Sequence, residues 1–155
     1  MKNINSNKLV SIITPCYNSE NYIEETINSV LSQTYSNIEY IIIDDGSTDD
    51  SWRIISSYKN KLKCFRTKNF GGGYARNFGV KKSSGSYFMF LDSDDIISRD
   101  LIENLIKTSL NNQQCIIGNS WARIIKTSSG WEEVRSDLPL YPKINIINAW
   151  LTGWY

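Results

Sequence analysis

Four times between Leu9 and Leu110 the chain runs from a short apolar stretch, through a polar turn-forming cluster, into a segment with helical periodicity. Such alternation predicts an α/β domain around a mainly parallel sheet with helices on both faces, because parallel neighbours need long, usually helical crossovers. "LVSIIT" is the first strand. Beyond "PCYNSEN", Ile23, Ile27, Val30 and Leu31 fall on one helical face, with Asn21 and Glu24 placed as a capping box. The second strand, "IEYIIID", is almost continuously apolar, as a parallel strand covered on both faces must be. After "DGSTDD", Trp52, Ile55 and Tyr58 recur at helical spacing. "LKCFRT", "KNFGGG" and "YARNFGVKKSSG" read as strand, loop and helix, the helix ending on Gly85 as its C′ glycine. The fourth unit opens with Tyr87 to Asp92, and Leu101, Ile102, Leu105 and Ile106 share a face of its helix. "QCIIG" is a fifth strand, "WARIIK" and "WEEVRS" form a hairpin across "TSSG", and Pro139 and Pro142 break the chain before "INIINAWLTGWY".

Crossovers between parallel strands are right-handed, so every strand-to-helix loop emerges at one edge of the sheet, where open α/β sheets bind ligands. Four polar clusters meet there: "TPCYN", "DDGS", "FGGGYARN" and "DSDD". The last follows "YFMFL" directly and packs three carboxylates into four positions. At contact distance and an effective dielectric near 20, each pair repels by roughly 2–4 kcal/mol. A divalent cation completed by nucleotide phosphates would offset that; a hydrated loop with Asp95 or Ser98 near the helix start would tolerate it. Tyr17 could stack on a nucleobase while Asp45 accepts a hydrogen bond from a base N–H or a ribose hydroxyl. Alternatively Pro15 and Asn18 form a turn and Asp45 and Ser47 cap the next helix. Gly71 to Gly73 could bring backbone close to a diphosphate paired with Arg76, or form a plain loop. The glycine run lacks dinucleotide-fingerprint spacing and follows the third strand instead of the first, and "DDGSTDDS" lacks the spacing and terminal Glu of an EF-hand.

Composition removes several other chemistries. With no histidine, imidazole bases and His-ligated metals are absent, and acid–base work falls to carboxylates. Cys16, Cys64 and Cys115 are odd in number and far apart, which suggests a reducing compartment and neither a disulfide framework nor a zinc site. Seventeen basic and sixteen acidic residues leave a formal charge of +1, so no broad cationic field for nucleic acid is expected. The apolar run Leu9 to Ile13 is too short for a signal-peptide core or a membrane span. A cytoplasmic protein, or one peripheral to the inner face of the membrane, is the expectation.

The segments "SIITPCYNSENYIEETINSVLSQTYSNIEYIIIDDGSTDDS" and "YARNFGVKKSSGSYFMFLDSDD" closely resemble the N-terminal half of family 2 inverting glycosyltransferases of the GT-A fold, over roughly Lys8 to Leu110. The resemblance implies a Rossmann-like nucleotide-diphospho-sugar transferase fold with strand order 3-2-1-4 in its first half. It implies residues 8–118 as the nucleotide-sugar-binding half and 119–155 as the start of an acceptor half, within one domain. Thr14, Pro15, Tyr17 and Asn18 would then line the nucleobase pocket, and Asp45 with Gly46 would meet the base or ribose. Arg76 and Asn77 match the family's A-R-N beside the donor diphosphate. Asp92, Ser93 and Asp94 supply the D-x-D, with Asp94 as the direct ligand of Mn²⁺ or Mg²⁺ and Asp92 nearer the ribose. The donor would be a nucleotide-diphospho-sugar, with a UDP-sugar the first expectation, and the acceptor a glycan or a lipid-linked acceptor.

One departure from the family stands out. Its catalytic base is an Asp in an E-D motif well beyond the D-x-D, and no such motif precedes Tyr155. Glu132, Glu133 and Asp137 lie in the right half without that context. The expectation is therefore a donor-binding part, truncated before the base, whose rival is a module that holds a nucleotide sugar without transferring it. A nucleotidyltransferase would need a basic glycine-rich loop after the first strand, and "TPCYNSEN" contains neither glycine nor lysine.

Overall fold

The computed structural model describes residues 8–109, 123–127 and 130–134. The chain divides into two compact units, Met1–Ile117 and Gly118–Tyr155. In the first, β1 (Val10–Cys16), β2 (Ile38–Asp44), β3 (Lys63–Arg66) and β4 (Tyr87–Phe90) form one parallel sheet in the order β3-β2-β1-β4. Helices α1 (Ile23–Leu31), α2 (Ser51–Ser57), α3 (Gly72–Lys82) and α4 (Leu101–Ser109) follow the strands in turn. This is the strand order that the sequence led us to expect.

The burial of β2 explains its composition. Tyr40 to Asp44 are all buried, and alternate residues enter different cores. Tyr40 and Ile42 join Val10 and Ile12 beneath Ile23, Ile27 and Val30 of α1, Ile55 of α2, and Ile102 and Ile106 of α4. Ile41 and Ile43 join Ile13 and Ala75 under α3. Each fully buried isoleucine contributes roughly 1.5–3 kcal/mol relative to exposure. Helix α3 approaches closely because Gly79 has no side chain: a Cβ there would stand 2.4 Å from Cγ2 of Ile13.

Local details differ from expectation in four places. Strand β1 continues through Pro15 to Cys16 instead of ending at Thr14. The Asn21–Glu24 capping box does not form: the Ser19 carbonyl accepts from the amides of Tyr22 and Ile23, and the Glu24 carboxylate takes the Tyr58 hydroxyl at 3.0 Å. Leu31 is 37 % exposed, because it closes α1 one residue beyond the buried Val30. Helix α3 begins inside the glycine run and ends at Lys82, so Gly85 is no helix cap. Its role is close approach: its amide donates to Ser11 Oγ at 2.9 Å, and a Cβ would lie 2.5 Å from that oxygen.

In the second unit, β5 (Arg123–Thr127) and β6 (Gly130–Val134) form the expected antiparallel hairpin, paired from Arg123–Val134 to Thr127–Gly130. The expected fifth strand "QCIIG", Asp137, Pro139, Pro142 and the C-terminal tryptophans lie outside the described residues.

Opposite the strand-to-helix loops, Glu39 joins four segments. It accepts from Ser11 Oγ at 2.6 Å, Lys63 Nζ at 2.5 Å, and the amide and hydroxyl of Ser84 at 2.8 and 2.9 Å. Burial alone would raise its pKa, but these donors outweigh it and bring it down to about 2. A depressed carboxylate stabilises the fold above its unfolded pKa, near 4.5, and the contribution vanishes as pH falls through the folded value. With Lys63 half exposed and screened, it amounts to about 2–3 kcal/mol. Glu39→Gln is therefore expected to lose about that much at pH 7, and to flatten the fall in stability between pH 4.5 and 2 seen in urea titrations of the parent.

Candidate functional site

A surface cleft of about 220 Å³ opens at the carboxyl ends of the strands, lined by Pro15, Cys16, Tyr17, Asp45, Gly72, Arg76, Asp92, Ser93 and Asp94. It lies where strand order reverses, since β1 has β2 on one side and β4 on the other. Each wall comes from a different βα unit.

Asp45 immediately follows β2 and is only 3 % exposed. Its Oδ1 accepts from Thr67 Oγ1 at 2.6 Å and the Phe70 amide at 2.9 Å, and its Oδ2 accepts from the Gly71 amide at 2.6 Å. Burial pushes its pKa up, yet these hydrogen bonds hold it below the ordinary Asp value. The carboxylate thus fastens the segment leading into α3, which places Gly72 and Arg76 on the cleft wall. Neither Asp45 nor Ser47 caps α2: the Ser51 amide donates to Asp49 Oδ1, and Ser47 Oγ accepts from the Asn18 amide. Gly46 has φ +78°, and a Cβ there would stand 3.0 Å from the Asn69 amide nitrogen. It serves the turn and does not line the cleft.

The loop after β1 is tied to the loop after β2. Asn18, at φ +50°, accepts from the Thr48 amide at 2.8 Å through Oδ1. That use turns Asn18 away from the cleft lining. Thr14 is also absent from the lining: it is wholly buried, with its hydroxyl 3.2 Å from the Tyr40 hydroxyl in the core beneath α1. Pro15 and Tyr17 do line the cleft, and Tyr17 is 47 % exposed. Asn77 is exposed on α3 outside the lining.

The acidic loop is supported from behind by hydroxyls. Ser93 is buried, with its Oγ 2.7 Å from Ser19 Oγ, and its carbonyl accepts from Thr26 Oγ1 at 3.0 Å. The Ser19 amide in turn donates to Ser51 Oγ at 2.8 Å. Asp92 and Asp94 on either side of Ser93 are exposed. Arg76 Nη2 lies 2.5 Å from Asp92 Oδ1. Burial first, and then the charges of Asp94 and Asp92, raise the pKa of Asp95.

Sequence reasoning marked Gly72, within the Gly71 to Gly73 run, but did not single out Cys16 as a lining residue, or Ser19, Thr26, Ser51 and Thr67 as supports. Thr26 and Ser29 on the buried stripe of α1 were a usable signal, because buried hydroxyls need partners. Cys16 on the cleft floor is unreactive as a thiol: burial, and next the buried Asp44, push its pKa up to about 11. Asp44 faces Arg66 Nε at 2.9 Å, although neither carboxylate oxygen meets a donor in hydrogen-bond geometry. We read the contact as a Coulombic pair, with Arg66 fixed by its bond to the Ser47 carbonyl and its place over Trp52.

An uncharacterized glycosyltransferase of Rickettsia conorii is 40 % identical over 144 residues, covering 89 % of this chain and 24 % of its own. Another, of Haemophilus influenzae, is 44 % identical over 118 residues, covering 74 % and 47 %. The chain thus spans between about a quarter and a half of these relatives. S. aureus TarS 1–349 in complex with UDP superposes with a TM-score of 0.63 at 28 % identity, over 75 % of this chain and 40 % of that one. The same protein in complex with UDP-GlcNAc gives 0.63 at 28 %, over 75 % and 39 %. The mannosyltransferase PcManGT from Pyrobaculum calidifontis, in complex with GDP-Man and Mn²⁺, shares the fold, with a TM-score of 0.62 at 23 % identity over 66 % and 32 %. The family model described as glycosyl transferase family 2 matches residues 11–152, and the chain belongs to that family.

Proposed function

We propose that the cleft binds a nucleotide-diphospho-sugar with a divalent cation, and that the protein containing it transfers the sugar with inversion to an acceptor hydroxyl. One observation carries this: Tyr17, Asp45, Arg76, Asp92 and Asp94, from four separate βα units, line a single cleft. The UDP and UDP-GlcNAc complexes of TarS support a UDP-sugar as donor. A glycan or lipid-linked acceptor, and a place in surface polysaccharide or glycoconjugate synthesis, complete the reading. No helix among the described residues is long and apolar enough to cross a membrane; we place the protein in the cytoplasm or at the inner membrane face. We retain residues 8–118 as the donor-binding half and 119–155 as the start of the acceptor half.

The residues suit their roles. Tyr17 offers an exposed ring for stacking, and Asp45 lines the same cleft, where a carboxylate oxygen can accept from a base N–H or ribose hydroxyl. Arg76 and the start of α3 at Gly72 present positive potential to a diphosphate. Asp92 orients Arg76 through their contact. No group of three potential ligand side chains is assembled among the described residues. One or two exposed carboxylates completed by phosphate oxygens nevertheless suit Mg²⁺ or Mn²⁺. Asp94 would ligate it, with Asp92 adjacent. When bound, the cation supplies Lewis-acid stabilisation of the departing nucleoside diphosphate.

We assign no base within the cleft. Asp45 is committed to the α3 segment and Asp92 to Arg76, while Asp94 is reserved for the cation. Product formation from a UDP-sugar and an acceptor, assayed beside donor binding on the same chain, separates transfer from binding alone. General-base assistance is worth about 10²–10⁴-fold, so transfer by these residues alone should be correspondingly slow.

Two outcomes test the site. In calorimetric titrations with UDP and Mn²⁺, Asp94→Asn should abolish the cation dependence while Asp95→Asn leaves most of it; equal losses would remove Asp94 from its assigned place. Tyr17→Ala should weaken nucleotide and free nucleoside alike by about 1–3 kcal/mol without lowering the melting temperature. Asp45→Ala should do both, because it leaves three donors unpaired. A Tyr17 variant that merely melts earlier, with affinity intact, would make that ring a packing residue.

A further inference from the structure

The formal charge of +1 conceals a strong segregation. Between Asp50 and Asp92 the chain carries nine of its seventeen basic residues and none of its sixteen acidic ones. That stretch contains α2, β3, α3 and β4, and β3 is an outer strand of the sheet. Among the described residues, Arg53, Lys63, Arg66 and Arg76 pair with carboxylates. Lys59, Lys61, Lys68, Lys81 and Lys82 form no such pair there, and all five are exposed. Lys59 and Lys61 lead into β3 and Lys81 and Lys82 end α3, so the four gather at the amino end of the strands. Lys68 follows β3 at the other end.

An aromatic row runs between these two groups. The Phe70 ring lies 4.8 Å from Tyr74, Tyr74 stacks on Phe78 at 6.1 Å, and Phe78 meets Phe65 of β3 edge-on at 5.8 Å. Lys82 Nζ caps the row, 5.3 Å from the Phe78 ring and 5.5 Å from that of Phe65. Phe70 is 59 % exposed and Tyr74 45 % exposed. Lysines beside an outer strand discourage pairing with another chain, which accounts for Lys59 and Lys61. It does not account for two exposed rings in contact, with Lys68 two positions before Phe70 and Lys82 at the far end of the row.

We propose that this β3–α3 face docks on an anionic lipid surface. The inference does not depend on the transferase reading, since none of the side chains it uses lines the cleft. Exposed aromatics that enter the headgroup region, ringed by lysines whose long stems keep their charge in water, are what such a surface accepts. The cations of this stretch without a carboxylate partner are all lysines, point charges attracted by a diffuse negative potential and lacking the planar fork with which arginine reads a phosphate or a base edge. A lipid surface therefore fits better than a nucleic acid.

The test is co-sedimentation of the full chain with vesicles of phosphatidylcholine alone, or of phosphatidylcholine with phosphatidylglycerol in equal parts. Binding should require the anionic lipid and weaken steeply as salt rises from 0.1 to 0.5 M. At about fivefold per lysine near the surface, Lys59→Glu, Lys61→Glu and Lys81→Glu together should lower partitioning at least a hundredfold. Tyr74→Ser should cut the salt-resistant remainder several-fold. Neither variant should change UDP binding, which confirms an intact fold and an unaffected cleft. Equal binding to both vesicles, or charge reversal without effect, would overturn the proposal. So would tighter binding to poly(U) than to anionic vesicles, because the face would then be a nucleic-acid surface.

Discussion

Asp45 accepts three hydrogen bonds from the segment Thr67 to Gly71, and the geometry of the cleft depends on them. A carboxylate at the end of a central strand has been drawn out of water, and such a group is costly unless donors surround it. The donors come from the chain leading into α3, so satisfying the charge also fixes where that helix begins. With its start fixed and Gly79 allowing close contact with Ile13, α3 can hold Arg76 beside Asp92. Three βα units are thereby locked at the rim by one buried anion.

The overall plan was legible because it is governed by periodicity and handedness. "IEYIIID" could be buried on both sides only as an inner parallel strand, and right-handed crossovers then brought the four polar clusters to one edge. What could not be read was which partner each polar side chain would choose. Asn21 and Glu24 have the spacing of a capping box, but the Ser19 carbonyl took the amides and a tyrosine 34 positions away took the carboxylate. Thr14 sits among the expected pocket residues in sequence, yet strand alternation aims it at Tyr40 in the core. Gly85 has the spacing of a helix terminator and serves as a gap for Ser11. In each case a distant group competed with a local pattern and won.

The chemistry of the site follows from its residue types. Without histidine, the cleft works with fixed charges: a guanidinium and a helix start on one wall, carboxylates on the other. Such a site can hold a diphosphate and a hard cation together, because each neutralises the other. The floor beneath is kept inert, with the Cys16 thiol pushed up to about 11 by burial first and by Asp44 next.

The hydroxyl scaffold behind the acidic loop has a consequence for how the site comes into being. Ser93 meets Ser19 across 74 positions and Thr26 across 67. Closing loops of that length costs entropy that only a formed sheet can offset, and contacts between distant segments form late in folding. No peptide containing "DSDD" alone would hold its carboxylates as the folded chain does. The acidic loop is therefore a reporter of completed assembly, and a substitution anywhere in the sheet that lets β4 separate from β1 will register first in the placement of these carboxylates.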